Sequence, residues 1–174
     1  MWKVLGVSMA VLVGSFLLIQ LVPFGRDHTN PPVVQEPKWD RKSTRELAVR
    51  ACYDCHSNQT VWPWYSSVAP ASWLVVNDVR GGRYILNFSE WNRQQPALLV
   101  PNEVQDVFFE ECEMPPFAYL LLHPKARLTG GERLALFEGF STTSGVNFGK
   151  PEKPATGWTD TTGSWCSLYH LFSR

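Results

Sequence analysis

The run Cys52-Tyr53-Asp54-Cys55-His56 constrains this chain more than any other feature of it. Two intervening residues let both thiols face the same side of one short helical turn, and the adjacent histidine emerges beneath them. This pattern is typical of covalent attachment of a c-type haem, in which the thiols add to the porphyrin vinyl groups and the histidine binds the iron. We therefore expect Cys52 and Cys55 to hold one haem c, with His56 as its proximal ligand.

Two other chemistries use closely spaced cysteines. A zinc site built from Cys52, Cys55, His56 and Cys112 is permitted by the spacing, but no second close ligand pair exists. A thioredoxin-like redox pair is weaker still, because no βαβ pattern surrounds the motif. No glycine-framed serine or metalloprotease helix is present either, so we do not expect an enzyme.

Composition excludes one class of partner and is consistent with the haem hypothesis. The formal net charge is 0 and no block of Lys and Arg stands alone, which argues against nucleic-acid binding. Eight Trp and ten Phe are many for 174 residues. They can supply the apolar walls of a buried porphyrin, or simply an aromatic-rich core.

The amino-terminal segment is apolar over residues 4–22 and is just long enough to cross a hydrocarbon core of about 30 Å. It is longer than a typical signal-peptide apolar region, and no Ala-x-Ala site follows it. We therefore predict an uncleaved signal anchor over residues 1–25 that places the protein in the lipid bilayer. The basic residues beyond it would by themselves put the carboxyl side in the cytoplasm. The haem motif argues for the opposite orientation, facing the periplasm from the bacterial inner membrane, and we give it more weight.

The rest of the chain is predicted to be mostly α-helical. Residues 26–37, with three prolines, are expected to form a stiff linker that holds the domain off the membrane. A small cytochrome-c-like helical domain is expected over residues 38–140, followed by a flexible tail over 141–174. Four helices are predicted. The first starts at a capping box of Ser43 and Glu46, two more span about residues 70–80 and 102–112, and the last starts at a second capping box of Thr129 and Glu132.

A six-coordinate haem iron needs a second ligand opposite His56. Met114 is our first choice, because the two prolines that follow it would hold its thioether on a rigid loop. His123 is the second choice, although a histidine in such a place is more often a hydrogen-bonded structural residue. His28, His170 and Cys112 are the remaining candidates.

The chain resembles a bacterial family of membrane-anchored haem-binding domain proteins, which are cytochrome-c-like. The resemblance covers about residues 20–140 and is carried by the segments 21–32, 50–58, 62–65, 69–74, 82–91, 113–116 and 119–132. It implies covalent haem on Cys52 and Cys55, His56 as proximal ligand and Met114 as distal ligand. The chain departs from the family at Asn77, where many members have histidine, and after about Gly139.

Together these features predict a membrane-tethered cytochrome that passes single electrons to redox partner proteins in the cell envelope. The alternative is a haem-based sensor or a protein that binds a small ligand. Two charged groups could steer partners or be ordinary solvated faces. The acidic group comprises Glu103, Asp106, Glu110, Glu111 and Glu113, and the basic group comprises Lys38, Arg41, Lys42, Arg45 and Arg50.

Overall fold

The computed structural model describes residues 2–92, 95, 99–110 and 113–150, and this part of the chain is largely helical. The helices are α1 (Trp2–Ile19), α2 (Lys42–Ala51), α3 (Tyr53–His56), α4 (Ala71–Ile85), α5 (Pro101–Gln105), α6 (Phe117–Leu122) and α7 (Gly130–Ser144). Short 3-10 turns cover Trp64–Ser67 and Pro124–Ala126, and a π turn covers Asp106–Glu110. Within the described ranges there is no β-strand, and one bridge pairs Gln35 with Glu90. The predicted mostly-α fold is confirmed.

Helix α1 is the one described helix that is long and apolar enough to cross a membrane. None of its residues is buried by the rest of the protein. At 1.5 Å per residue, its 18 residues extend about 27 Å, close to the thickness of a hydrocarbon core. The helix ends at Ile19, slightly before the end of the apolar stretch over residues 4–22.

The core of the domain forms where α7 crosses α2. The two helices approach closely because position 139 is glycine: a Cβ there would lie 3.0 Å from the Cβ of Thr44 and closer still to its other side-chain atoms. Phenyl rings fill the space around this crossing, as the composition suggested. The buried aromatic residues of the core are Tyr53, Phe88, Phe109, Phe137, Phe140 and Phe148.

One of the two predicted capping boxes is present. Thr129 caps α7: its hydroxyl accepts from the Glu132 backbone N–H at 3.2 Å, and the Glu132 carboxylate accepts from the Thr129 N–H at 2.9 Å. The prediction that Ser43 caps α2 is wrong. That helix begins at Lys42, because the extended Arg41 already accepts the first helical hydrogen bond from the Arg45 N–H.

Two other predicted helices have different ends. Helix α4 does not stop before Gly81 and Gly82 but continues through them to Ile85, for a packing reason given below. The helix predicted near 102–112 begins at Pro101 and changes to the π turn at Asp106. A π turn inside a helix often marks a functional site, and this one precedes Met114.

The proline-rich linker is extended as predicted, but it does not hold the domain away from α1. It lies along the domain surface: Asn30 donates to the Thr60 carbonyl at 2.9 Å, and Glu36 forms an ion pair with Arg45 at 2.9 Å. The Val34 N–H also donates to the Ser89 carbonyl at 2.9 Å. The prediction of a spacer is corrected, because the polar groups between the prolines pair with the domain.

The domain also extends beyond residue 140. Helix α7 runs to Ser144 and ends at Gly145, whose left-handed backbone (φ 72°) favours glycine. Phe148 then folds back against Phe137 and Phe140, with ring centroids 5.5 Å away in each case. Residues 141–150 are therefore part of the domain rather than of the tail, and the remainder of the predicted tail, 151–174, lies outside the described residues.

Candidate haem site

The Cys-x-x-Cys-His run forms the sharp turn between α2 and α3. Cys52 ends α2 and also begins α3, and its carbonyl accepts hydrogen bonds from the N–H groups of Cys55 (3.2 Å) and His56 (2.9 Å). Both thiols are free and half-buried. The structure thus brings the two cysteines and the histidine together on one helical turn, as the spacing predicts.

The imidazole of His56 is held in the orientation that a metal ligand needs. Its Nδ1 lies 3.0 Å from the Gly82 carbonyl oxygen and 3.1 Å from that of Leu86. Because both partners are acceptors, Nδ1 carries the proton and Nε2 has a free lone pair. Burial lowers the pKa of His56, which favours the neutral ring, while the two backbone hydrogen bonds oppose that shift. No described residue hydrogen-bonds to Nε2.

Gly82 allows the carbonyl groups of α4 to reach His56. A Cβ at this position would lie 2.9 Å from the Cys55 carbonyl carbon and 3.0 Å from the Cys55 Cβ. Glycine is therefore required for α4 to pack directly on the motif. Its neighbour Gly81 has open space around it, so only the second glycine has a packing role.

The two thiols differ in pKa from those of a reactive cysteine pair. Burial raises the pKa of Cys52 to about 12, although the nearby Arg133 guanidinium opposes that shift. Burial also raises the pKa of Cys55 to about 12, helped by Asp78 and Asp54. Reactive cysteine pairs have lowered pKa values instead. Among the described residues, no three His, Cys, Asp or Glu side chains converge as a metal site; Cys112 lies outside them.

Polar side chains of the motif and of α4 fix the segments next to the turn. Asp54 accepts from the Tyr119 hydroxyl at 2.6 Å, which connects the motif to α6. It also accepts from the Val61 N–H at 2.9 Å, which connects the motif to the loop that follows the motif. Arg83 donates to the Ser57 carbonyl at 2.8 Å and to the Asn30 side chain at 2.7 Å. The chain on both sides of the haem motif is thereby restrained.

Met114 lies on a loop that is braced from helix α7. Arg133, which is 4% exposed, donates through Nη1 to the carbonyl oxygens of Met114 (2.7 Å) and Phe108 (3.0 Å). The buried Pro115 follows Met114, and Pro116 caps α6. The positive charge of the same guanidinium also opposes the upward shift of the Cys52 pKa.

The histidine candidates have structural partners. His123 stacks on Tyr119 with centroids 4.0 Å apart, and its Nδ1 lies 3.0 Å from the Tyr119 carbonyl oxygen. Its ring also lines a cleft beside Cys55 and contacts the Tyr65 hydroxyl. His28 stacks on Trp62 at 4.6 Å and binds Ser66 through Nε2. Cys112 and His170 lie outside the described residues, and Asn77 is exposed on α4.

Sequence reasoning missed three residues that support the motif and the Met114 loop: Gly82, Asp54 and Arg133. The glycine pair at 81 and 82 favours a helix end near residue 80, although a glycine in an otherwise helical stretch also indicates a close approach. Asp54 was treated as a spacer within the motif. Arg133 gave no signal, because a single arginine on a predicted helix is indistinguishable from a solvated one.

Fold and site together define a small helical protein with a Cys-x-x-Cys-His turn framed for haem. A family model described as a haem-binding domain matches residues 14–142. The chain therefore belongs to the haem-binding domain family, and haem is its cofactor. Neither curated proteins nor solved structures give a significant match. The family match begins inside α1, so it includes the end of the apolar helix.

Replacing Gly82 and Gly81 separately by alanine tests the close packing of α4. Gly82→Ala should lower the free energy of unfolding by about 1–3 kcal/mol, because the new methyl group would force α4 away from Cys55. Gly81→Ala is the matched control and should raise it by roughly 0.5–1 kcal/mol, since an open helical glycine is replaced by a better helix former. Urea denaturation measures both. Equal effects at the two positions would contradict the packing role.

Replacing Arg133 tests the brace on the Met114 loop. Arg133→Met should destabilise the protein by about 1–3 kcal/mol, because two buried carbonyl groups lose their donor. It should also speed proteolytic cleavage near Met114. Arg127→Met removes an exposed arginine whose bond to the Leu120 carbonyl is longer, at 3.3 Å, and serves as the control. Unchanged cleavage near Met114 in a destabilised Arg133→Met protein would show that the arginine stabilises the fold without restraining the loop.

Proposed function

We propose that this protein is a membrane-tethered cytochrome with one covalent haem c, which carries single electrons in the bacterial cell envelope and is not an enzyme. The observation that carries the proposal is the clamp on His56: two carbonyl groups of α4 fix its protonated Nδ1 and leave Nε2 free, next to two unpaired thiols. A histidine in this tautomer is a ready iron ligand.

Covalent attachment follows from the chemistry of the two thiols. Each S–H adds across one vinyl C=C bond, so that a C–S bond forms and the hydrogen goes to the neighbouring vinyl carbon. No oxidant or reductant is consumed. Cys52 and Cys55 are held on one turn by the helical bonds to the Cys52 carbonyl, an arrangement that would allow both sulfurs to reach one edge of the porphyrin.

Electron transfer rather than sensing is favoured by the restraint on Met114. Haem supplies one-electron chemistry when bound, and a His/Met ligand pair raises its reduction potential. The Arg133 hydrogen bond and the two prolines would keep the Met114 thioether in place as distal ligand. A sensor needs a distal position that opens readily, whereas His123, the second choice, is already hydrogen-bonded to its own helix.

The tether is supported by α1, and its orientation by the haem chemistry. An apolar helix of this length fits a single membrane span. Because c-type haem is attached outside the cytoplasm, the domain would face the periplasm from the inner membrane. This orientation overrides the modest excess of basic residues after the span, which by charge alone would favour the cytoplasm.

Surface charge favours the acidic side of the domain as the contact for a redox partner. Four of the five basic residues form ion pairs with carboxylates, which leaves them less available to a partner. The pairs are Arg41 with Asp40, Lys42 with Glu46, Arg45 with Glu36 and Arg50 with Glu132. In contrast, Glu103 and Glu113 are exposed on either side of the π turn, near Met114. A basic patch on the partner would complement them.

Covalent haem is tested by expressing the chain with a c-type maturation system. We expect haem to remain on the polypeptide in a denaturing gel, and the mass to rise by that of one intact haem, because thioether formation loses no atoms. Cys52→Ala with Cys55→Ala should abolish the stain, whereas the control Cys112→Ala should keep it. Haem that acidified ketone extracts completely would show non-covalent binding.

The distal ligand is tested by Met114→Ala and His123→Ala side by side. The unaltered ferrous protein should not bind carbon monoxide at neutral pH, since Met114 occupies the position. Met114→Ala should bind it and lose the near-infrared band of sulfur-ligated ferric haem, while His123→Ala should change neither. Carbon monoxide binding by the unaltered protein would instead favour the sensor, and a spectral change confined to His123→Ala would make His123 the ligand.

A further inference from the structure

The end of helix α1 is fastened to the haem-binding domain by one side chain. Gln20 Nε2 donates to the Ala69 carbonyl at 2.9 Å, and Gln20 Oε1 accepts from the Ala69 N–H at 3.0 Å. A side-chain amide that satisfies both backbone groups of one residue fixes that residue in position and orientation. We call this paired contact the Gln20 latch.

A second contact continues the attachment along α4. Gly25 is buried with φ 81°, and a Cβ there would lie 2.7 Å from the Ser72 carbonyl carbon, so only glycine lets the chain lie this close. The Ser72 hydroxyl donates to the Phe24 carbonyl at 3.4 Å, and the Arg80 guanidinium lies 5.6 Å from the centre of the Phe24 ring. The segment after α1 therefore lies against α4 and leaves no free spacer.

The latch also sets the depth of the domain relative to α1. Gln20 Nε2 donates to the Phe16 carbonyl at 3.1 Å as well, so Ala69 is level with the last turn of α1. A span of about 27 Å nearly fills a hydrocarbon core of about 30 Å, and a headgroup region of roughly 5–8 Å lies beyond each end. Where α1 crosses a bilayer, Ala69 consequently lies within the headgroup region.

Exposed apolar side chains lie on the segments that meet near this point: the residues after α1, the 3-10 turn and the start of α4. They are Leu21, Phe24, Trp64, Pro70 and Leu74, which we call the seating face. Trp64 is 82% exposed on the 3-10 turn that packs against α4, and Leu74 is 66% exposed one turn beyond Pro70. Tryptophan is favoured at membrane interfaces. Arg26, which donates to the Gln20 carbonyl at 2.6 Å, adds positive charge at the same level.

We propose that the seating face rests in the headgroup region of the bilayer that α1 crosses, and that the Gln20 latch holds it there. This inference depends on the membrane tether proposed above. The occupant of the face is a lipid surface, with a preference for anionic headgroups because of Arg26. The haem-binding domain then has a fixed orientation on the membrane, and its redox partner meets it from the side or from above rather than at the end of a flexible stalk.

Cysteine accessibility in the full-length haem-loaded protein tests the inference. Three variants are made, each in a protein that also carries Cys112→Ser and Cys166→Ser: Trp64→Cys, Leu74→Cys and Tyr84→Cys. Each is reconstituted in vesicles of phosphatidylcholine and phosphatidylglycerol. A charged maleimide should label positions 64 and 74 roughly tenfold more slowly than position 84, because a thiolate and a charged reagent are both disfavoured at an apolar interface. Tyr84 is the matched control: it is 87% exposed and lies ten residues along α4, about 15 Å further from the latch.

Four further outcomes decide between explanations. Gln20→Ala should loosen the attachment, because only the contacts of Phe24 and Gly25 with α4 remain, and should reduce the difference in labelling rate between position 84 and positions 64 and 74, with the haem spectrum unchanged. Equal labelling rates at the three positions in the protein that retains Gln20 would overturn the proposal. Protection of positions 64 and 74 that persists after lipid removal would also overturn it, since such protection would indicate self-association. Extraction of the protein from vesicles by alkaline carbonate would instead show that the membrane tether itself is wrong.

Discussion

The close approach of α4 to the Cys-x-x-Cys-His turn is the contact on which the rest of the site depends. It requires glycine at position 82, because any Cβ there would overlap the backbone of Cys55. The same approach brings two carbonyl groups of α4 to the Nδ1 of His56, which fixes both the ring and its tautomer. A small loss of helix propensity at Gly82, about 1 kcal/mol relative to alanine, thus accompanies a fixed orientation of the His56 ring.

His56 and the Met114 loop are supported by different parts of the chain. The His56 side depends on α4 and on Arg83, whose guanidinium holds the Ser57 carbonyl and the extended segment at Asn30. The Met114 side depends on α7, through the two hydrogen bonds of Arg133. Since α7 is itself packed against α2, which leads directly into Cys52, the helix crossing at Gly139 also links the Met114 loop to the haem motif.

The sequence predicted the features that depend on local chemistry and missed those that depend on distant contacts. The helical class, the Cys-x-x-Cys-His turn and the Thr129 cap are encoded within a few residues, and the structure contains all three. The end of α4 was misplaced because the propensity of Gly81 and Gly82 is overridden by packing against Cys55. The contribution of Phe148 was missed because its partners, Phe137 and Phe140, lie across a turn whose composition resembles a loop.

The segment after α1 shows how far a local interpretation of proline can mislead. Prolines do make residues 26–37 extended, since proline fixes φ and cannot donate a backbone hydrogen bond. Extension, however, is equally the geometry that lets the intervening polar groups pair with a neighbouring surface, as Asn30 and Glu36 do. Stiffness alone does not distinguish a free spacer from a segment that packs on the domain. The two differ in whether the domain offers hydrogen-bonding partners at matching intervals. Here the domain offers them at Thr60, Ser89 and Arg45, so the distance between α1 and the haem motif is set by packing rather than by the length of the linker.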